Sequence, residues 1–277
     1  MLAKEGVKLE TKGFAMGVRA EHPQALINRL MYHIDVSKSR DLEVINYIGN
    51  ASYSLVTQVD GRGVYSFCMC PGGHIVPAAT DKESVVVNGM SASHRNSPFA
   101  NSGMVVELHP EDLGPDTTAP EWLAFQENLE HLAWEHGAKA AGQPDSAIAP
   151  AQRLDDFVFG RASRDLPKTS YLPGCRASRL DLWLPEIIGR SLQQGFADFG
   201  KKYPGYLTHE AVILGVESRS SSAIRIPRDP ETMAHPDRPN LYPAGEGAGY
   251  AGGITSSALD GIRAAEAISK RLNNIQS

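Results

Sequence analysis

The sequence predicts a mixed α/β chain of the α+β class, on three observations. Its N-terminal third holds several short runs of alternating apolar and polar residues separated by turn signals. Its middle holds two stretches with apolar residues at three-to-four spacing. Its last stretch, Asn240 to Ile268, reads as a short strand, a glycine loop and a helix.

Taken in order, Lys12 to Glu21 reads as a strand, and His22-Pro23 opens a short helix from Gln24 to Met31. Tyr53 to Val59 and Gly63 to Met69 flank Asp60-Gly61-Arg62, the signature of a β-hairpin turn. His74 to Ala79, Ser84 to Asn88 and Gly103 to Leu108 continue an antiparallel run. Glu121 to His136 is the clearest helix. Trp122, Phe125, Leu129, Leu132 and His136 share one face, Pro120 sits in the first turn, and Gly137 ends it. A second helical block covers Leu180 to Phe199. Between these helices, Ala138 to Pro150 and Leu166 to Gly174 are loops rich in Ala, Pro, Gly and Ser. Ala211 to Val216 and Ala223 to Ile226 return to strands, and Asp229 to Pro239 is a polar, proline-bearing loop.

Leu241 to Ala244 is then the short apolar strand. Gly245, Gly247, Gly249, Gly252 and Gly253 strip side chains from the turn that follows. Such a turn lets backbone N–H groups approach a ligand closely. Thr255 or Ser256 caps the next helix, whose apolar face is Ala258, Leu259, Ile262, Ala265, Ile268 and Leu272. The helix N-terminus offers unpaired N–H donors and partial positive charge, a seat for an anionic or electron-rich group. On spacing alone, a ligand loop and an ordinary α/β connection are equally good readings.

Composition narrows the function classes. The chain has 277 residues, enough for one large domain or two modest ones. Apolar residues at 42% supply a core. A net charge of −5 argues against a nucleic-acid face, which needs a basic surplus. No apolar run reaches the roughly 20 residues of a membrane helix, and the start lacks a secretory pattern. Three cysteines make no disulfide framework. The expectation is a cytoplasmic protein with no nucleic-acid or membrane partner.

Several side chains are candidates for chemistry. Cys68-Met69-Cys70 has C-x-C spacing, and on a regular strand both sulfurs point to one face. Two inert buried thiols, thiols beside a ligand, and metal ligands are the open readings, with Cys175 standing alone. A zinc site needs two more ligands, so no metal site is assigned. His22, His74, His94 and His109 titrate near neutral pH and read as proton donors or as packing residues. Arg19 and Arg219 suit a carboxylate or phosphate ligand, or a structural salt bridge. Ser218-Arg219-Ser220-Ser221-Ser222 lines a polar pocket or forms a plain turn. Asn88, Asn96 and Asn101 are candidates for orienting a substrate carbonyl.

The C-terminal segment resembles the flavin-contacting motif of FAD-dependent oxidoreductases with two dinucleotide-binding domains. More narrowly it is similar to bacterial proteins described as uncharacterised FAD-dependent, or NAD(FAD)-utilising, dehydrogenases. Phe14 to Gln24, Gly61 to Gly73, Val87 to Ser91 and Gly215 to Ser222 resemble the same group, in the same order. The resemblance implies an FAD-dependent oxidoreductase acting on a small organic substrate, with NAD(P)H as an electron donor. It implies that Gly245 and Glu246 lie near the ribityl–pyrophosphate part, with Gly247 also among the cofactor-binding residues. Gly252, Gly253 and Ile254 then offer N–H groups to the pyrimidine edge, and the helix from Thr255 stabilises negative charge on the reduced ring. Catalytic residues do not follow from it.

The implied division is a remnant of an FAD-binding domain at 1–22 and 207–277, interrupted by an antiparallel substrate or cap domain at 23–206. The family's Gly-rich βαβ unit, which binds the ADP half of FAD, has no counterpart in this sequence. Met1-Leu-Ala-Lys-Glu-Gly-Val-Lys-Leu-Glu reads like the interior of a longer protein. The expectation is a fragment that by itself binds FAD weakly or not at all. A homodimer or a missing FAD-domain half is its expected partner. The alternatives are a non-catalytic binding module that has lost flavin binding, and a subunit completed in trans by a separate FAD domain.

Overall fold

A computed structural model describes residues 2–34 and 38–276 of the chain. By internal packing the chain forms two compact units. One comprises Met1–Ala15, Leu108–Gln126 and Arg219–Ser277; the other comprises Met16–Glu107 and Glu127–Ser218. The polypeptide therefore crosses between them four times.

Eleven strands and seven α-helices alternate along the described residues. They begin with β1 (Glu10–Thr11), β2 (Phe14–Pro23), α1 (Gln24–Tyr32), α2 (Ser39–Ile48), β3 (Val56–Val59) and β4 (Arg62–Cys70). Next come β5 (His74–Pro77), β6 (Val87–Met90), β7 (Phe99–Leu108), α3 (Ala119–Trp134), β8 (Ala149–Arg153) and α4 (Leu154–Val158). The chain closes with β9 (Cys175–Ala177), α5 (Leu180–Trp183), α6 (Glu186–Lys202), β10 (Val212–Glu217), β11 (Ile224–Arg225) and α7 (Ile254–Gln276). The α+β class is as the sequence predicts.

The larger unit is built on a mixed sheet in the order β3-β4-β7-β2-β10-β8-β9. Its pairs β3/β4, β4/β7, β2/β10 and β10/β8 are antiparallel, and β8/β9 is parallel. A small hairpin, β5/β6, belongs to the same unit. Asp60 and Gly61 both take positive φ, 51° and 79°, the two-residue turn that matches strand twist. Central strands β2 and β10 are buried along almost their whole length, Arg19, Glu21 and His22 of β2 included. Helix α6 lays Ile188, Leu192, Phe196 and Phe199 against the core. At Gly195 it approaches so closely that a Cβ would lie 2.7 Å from Val64 Cγ1.

The second predicted helix is two helices. Pro185 cannot follow a helical residue without a clash, so Leu184 turns extended with ψ 141° and α6 restarts after the proline. The long helix α3 runs past its expected end into a π-helical turn, Glu135–Lys139. Gly137 sits inside that turn because a Cβ there would overlap the Ile148 carbonyl and Pro150.

The smaller unit pairs β1 with β11, antiparallel. Phe14 meets Trp122 edge-on at 5.1 Å between ring centroids, and the Trp122 indole donates to the Lys12 carbonyl at 2.9 Å. The expected strand Leu241–Ala244 pairs with no other strand among the described residues. Its Leu241 backbone is engaged locally instead, with His235 and Arg238. Pro243 has no N–H to offer a ladder.

Helix α7 turns an unexpected side inward. Its buried positions are Asp260 and Ala264, while Leu259, Ile262 and Leu272 of the expected core face are exposed, as is Ile254 at its start. The reason is Asp260, whose partners lie outside the helix.

Candidate functional site

Two constellations carry chemical interest, one in each unit. In the smaller unit the glycine loop is strapped down before α7 begins. Gly249 takes φ 86°, and a Cβ there would lie 2.6 Å from the Ile224 carbonyl, so only glycine passes β11 this closely. The Ile226 N–H donates to the Ala248 carbonyl at 3.1 Å, and the Tyr250 N–H to Gly245 at 3.1 Å.

Asp260 is the anchor of that loop. Its carboxylate accepts Arg228 Nη1 at 2.9 Å and Nη2 at 2.6 Å, and the Gly245 N–H at 2.8 Å. These hydrogen bonds, with Arg228 first, hold its pKa below the usual carboxylate range. The Arg228 guanidinium also donates to the Pro243 carbonyl and lies over the Tyr250 ring, 3.7 Å from its centroid. Asp260→Ala is expected to cost about 2 kcal/mol of stability. It should also raise amide exchange across residues 245–250, as read by hydrogen–deuterium exchange; unchanged protection there would separate the loop from this clamp.

The remaining loop glycines have a different character. A Cβ at Gly247 or Gly252 would meet nothing within 4 Å, and at Gly253 only the Ser256 hydroxyl at 3.9 Å. Neither packing among the described residues nor a positive φ accounts for them. Gly252, Ile254 and Thr255 are exposed, and Glu246 is half-buried. The Ser257 N–H makes the first backward bond of the helix, to the Gly253 carbonyl at 2.9 Å. Gly253 is thus the residue at the cap, and Thr255 and Ser256 already lie in the first turn. The Ser256 hydroxyl donates back to the Gly253 carbonyl at 3.0 Å rather than capping an N–H. The N–H groups at the head of α7 have no acceptor within the helix.

In the larger unit, Arg19 is fully buried on β2 and gathers residues from four other strands. Its Nε donates to Asn101 Oδ1 at 2.8 Å, and Nη1 to Glu217 Oε2 at 2.8 Å and Asn88 Oδ1 at 3.5 Å. Its Nη2 donates to the Cys68 carbonyl at 2.7 Å and approaches Cys70 Sγ at 3.6 Å. Of the two readings of Arg19, the structure shows the buried salt bridge. Burial pushes the Glu217 carboxyl up, and Arg19 pulls it part of the way back. The room for this cluster comes from glycine. A Cβ at Gly89 would overlap the guanidinium, and one at Gly73 would lie 2.8 Å from Cys70 Cβ. Gly72, at φ 53°, would collide with the Arg95 carbonyl.

The two cysteines differ from each other. Cys68 is exposed and Cys70 buried. Pairing of β4 with β7 slips between Phe67 and Cys70, and Cys68 takes φ 48° at the slip. This is a β-bulge, which the simple alternation of a strand does not foresee. A hydrogen bond from Cys70, with the Arg19 charge behind it, lowers the Cys68 thiol to about 6 against the cost of partial burial. Cys70 is pushed well up by the same bond and by burial. Cys175 is raised to about 12 by burial.

Other candidates resolve into structure. His22 is fully buried, with Nε2 3.0 Å from the Tyr206 carbonyl; that nitrogen therefore carries the proton. His74, His94 and His109 are exposed. Ser218 donates to Glu130 at 2.6 Å, Ser220 to the Ala15 carbonyl, and Ser222 to the Ile224 carbonyl, so the serine run is a bonded turn. Asn96 is exposed, whereas Asn88 and Asn101 join the Arg19 cluster. No group of three or more His, Cys, Asp or Glu side chains placed to hold a metal ion is present among the described residues. No helix among them is long and apolar enough to cross a membrane.

Residues 13–220 match the family described as FAD-dependent protein, C-terminal domain-like. They make up most of the chain, which therefore belongs to that family. The match takes in the Arg19 cluster and ends before the glycine loop. The chain is also 38% identical, over 277 residues, to a Clostridium beijerinckii (strain ATCC 51743 / NCIMB 8052) protein described as "Uncharacterized protein". That alignment covers 99% of this chain and 49% of the relative. The chain thus spans about half the length of the relative it matches.

Proposed function

We propose that this chain is the substrate-domain and flavin-contacting part of an FAD-dependent oxidoreductase acting on a small organic substrate. The observation that carries the reading is the pair of glycines, Gly247 and Gly252. Nothing among the described residues requires their missing side chains, yet both lie in the loop that leads into a 23-residue helix. A ligand that approaches the backbone supplies the missing reason. Family membership supports flavin as that ligand.

The loop fits the group in its donor chemistry. Gly245, Glu246 and Gly247 would face its ribityl–pyrophosphate part, and Gly252, Gly253, Ile254 and Thr255 its pyrimidine edge. The flavin supplies the electron chemistry when bound. The chain's own residues orient it: Asp260 and Arg228 fix the loop, and the α7 N–H groups favour negative charge at the ring edge. A Gly-rich βαβ unit supplied outside this sequence would bind the ADP half. NAD(P)H as the electron donor and a cytoplasmic location belong to the same reading.

The exposed apolar side of α7 favours completion by a second polypeptide surface over a free-standing module. Ile254 is 92% exposed, and Leu259, Ile262 and Leu272 each exceed half.

The test is an FAD titration of the chain followed by flavin fluorescence, alongside Gly252→Val. Weak binding is expected, falling about tenfold, or ~1.4 kcal/mol, in the variant. Its melting temperature should hardly move, because a Cβ at Gly252 meets nothing within 4 Å. Affinity unchanged by Gly252→Val would remove the flavin from this loop.

A further inference from the structure

We propose that Cys68 and Cys70 form a redox-active dithiol that exchanges with low-molecular-weight disulfides. The pair lies wholly in the larger unit, and the inference goes beyond the flavin reading and does not depend on it.

The geometry comes from the bulge. On a regular strand, residues two apart are separated by about 6.6 Å, beyond the Cβ–Cβ span of a disulfide. In β4 the ladder steps from Phe67↔Gly103 to Cys70↔Asn101, three residues advancing against two on β7. The extra residue, with Cys68 at φ 48°, bends the strand at this point, and the Cys70 thiol donates to the Cys68 carbonyl at 3.5 Å, so the buried sulfur lies against the backbone of the other cysteine. A positive φ at a residue with a side chain is strained. Here the strained residue is one of the two thiols.

The surroundings divide the labour. Cys68 is exposed and open to a small reactant, while Cys70 is buried. Arg19 Nη2 reaches Cys70 Sγ at 3.6 Å and donates to the Cys68 carbonyl at 2.7 Å, so one nitrogen ties the two residues together. The charged groups that face the pair are Arg19 from β2 and, beyond it, Glu217 from β10; Asn88 and Asn101 from β6 and β7 are neutral. The nearer charge is positive, which favours thiolate at whichever sulfur is deprotonated.

The step balances without a cofactor. The Cys68 thiolate attacks one sulfur of a disulfide RSSR; the S–S bond breaks, and RS⁻ leaves and takes a proton from solvent. Cys70 then gives its proton to solvent and attacks the Cys68 sulfur, releasing a second thiol. Two electrons and two protons pass from the cysteine pair to RSSR, giving the Cys68–Cys70 disulfide and two RSH. Excess thiol runs the sequence backward.

The experiment equilibrates the chain, without flavin, in glutathione buffers of graded redox state. The mixture is then quenched with acid and read by intact-mass and peptide mass spectrometry. The expected result is loss of two hydrogens from the chain, mapped to a Cys68–Cys70 cross-link and reversed by excess reduced glutathione. Cys70→Ser should trap glutathione on Cys68, Cys68→Ser should abolish the reaction, and Cys175→Ser should leave it unchanged. Alkylation of Cys68 by iodoacetamide should reach half its maximal rate near pH 6, where its thiol is held, and run about tenfold faster at neutral pH in wild type than in the unfolded chain. Absence of the cross-link in oxidised glutathione overturns the proposal. So does a wild-type protein that stops at the glutathione adduct. Both readouts are taken on the wild-type chain, so misfolding of a variant cannot obscure them.

Discussion

Glu217→Ala should lower the unfolding free energy of the chain by about 3–5 kcal/mol. The partner it abandons, Arg19, is fully buried and remains charged at every accessible pH. Its other bonds, to Asn101, Asn88 and the Cys68 carbonyl, are made to neutral oxygens and cannot balance that charge. The two side chains are 0% and 2% exposed and 2.8 Å apart, so water cannot enter to compensate. The pair also ties β2 to β10, residues 198 positions apart, at the middle of the sheet. Urea unfolding at neutral pH measures the loss. The double variant Arg19→Met with Glu217→Leu should recover much of it, since removing both charges leaves neither stranded. A cost for Glu217→Ala below about 1 kcal/mol, typical of exposed pairs, would show that the pair is solvated in solution.

Acid should weaken the protein through His22. Its ring is fully buried, lies tilted by 36° against the Tyr206 ring at 4.4 Å between centroids, and leaves Nδ1 without a hydrogen-bond partner. Burial lowers its pKa from 6.5 to about 4, partly opposed by the bond to the Tyr206 carbonyl. In the unfolded chain the same ring protonates near 6.5. Stability from the neutral ring is therefore complete above pH 6.5. It is lost as pH falls from there towards 4, and the loss levels off below 4 at about 3 kcal/mol. Carboxyls raised by burial, Glu21 and Glu217, act with the opposite sign, gaining stability as they protonate. The difference between wild type and His22→Gln isolates the histidine. Urea midpoints of the two at pH 7.5 and pH 4.5 should converge in acid; parallel midpoints would mean that His22 titrates normally.

Local chemistry was readable in the sequence wherever a residue's neighbours in the chain decide its state. Asp60-Gly61 specified the hairpin, Pro23 the start of α1, and Pro120 with its apolar stripe the long α3. Pro185 marks the break between the two helices of 180–202 in the sequence itself, although the apolar periodicity runs across it. What was not legible depends on distant partners. Periodicity turned Leu259 and Ile262 of α7 inward, but the helix faces the other way because Asp260 meets Arg228, 32 residues earlier. Leu241 to Ala244 has strand-forming residues and no strand to pair with among those described. The glycine loop was identified from composition, whereas the Arg19 cluster was not assembled, since its members come from five separate segments. The cysteines were noticed, but a bulge that separates their exposures leaves no mark in C-x-C spacing.

The order of the strands sets a timetable for synthesis. Strand β2 is complete by residue 23, but one of its two neighbours, β10, ends only at Glu217 of 277. While a ribosome makes the intervening chain, the strand that will lie deepest presents an apolar edge with an unsatisfied hydrogen-bonding row and a lone buried-type arginine. Sheet closure is thus a late, long-range event, slow by the logic of loop closure. Nascent chains halted before residue 217 should be protease-sensitive and prone to chaperone capture, whatever the fully made protein turns out to bind.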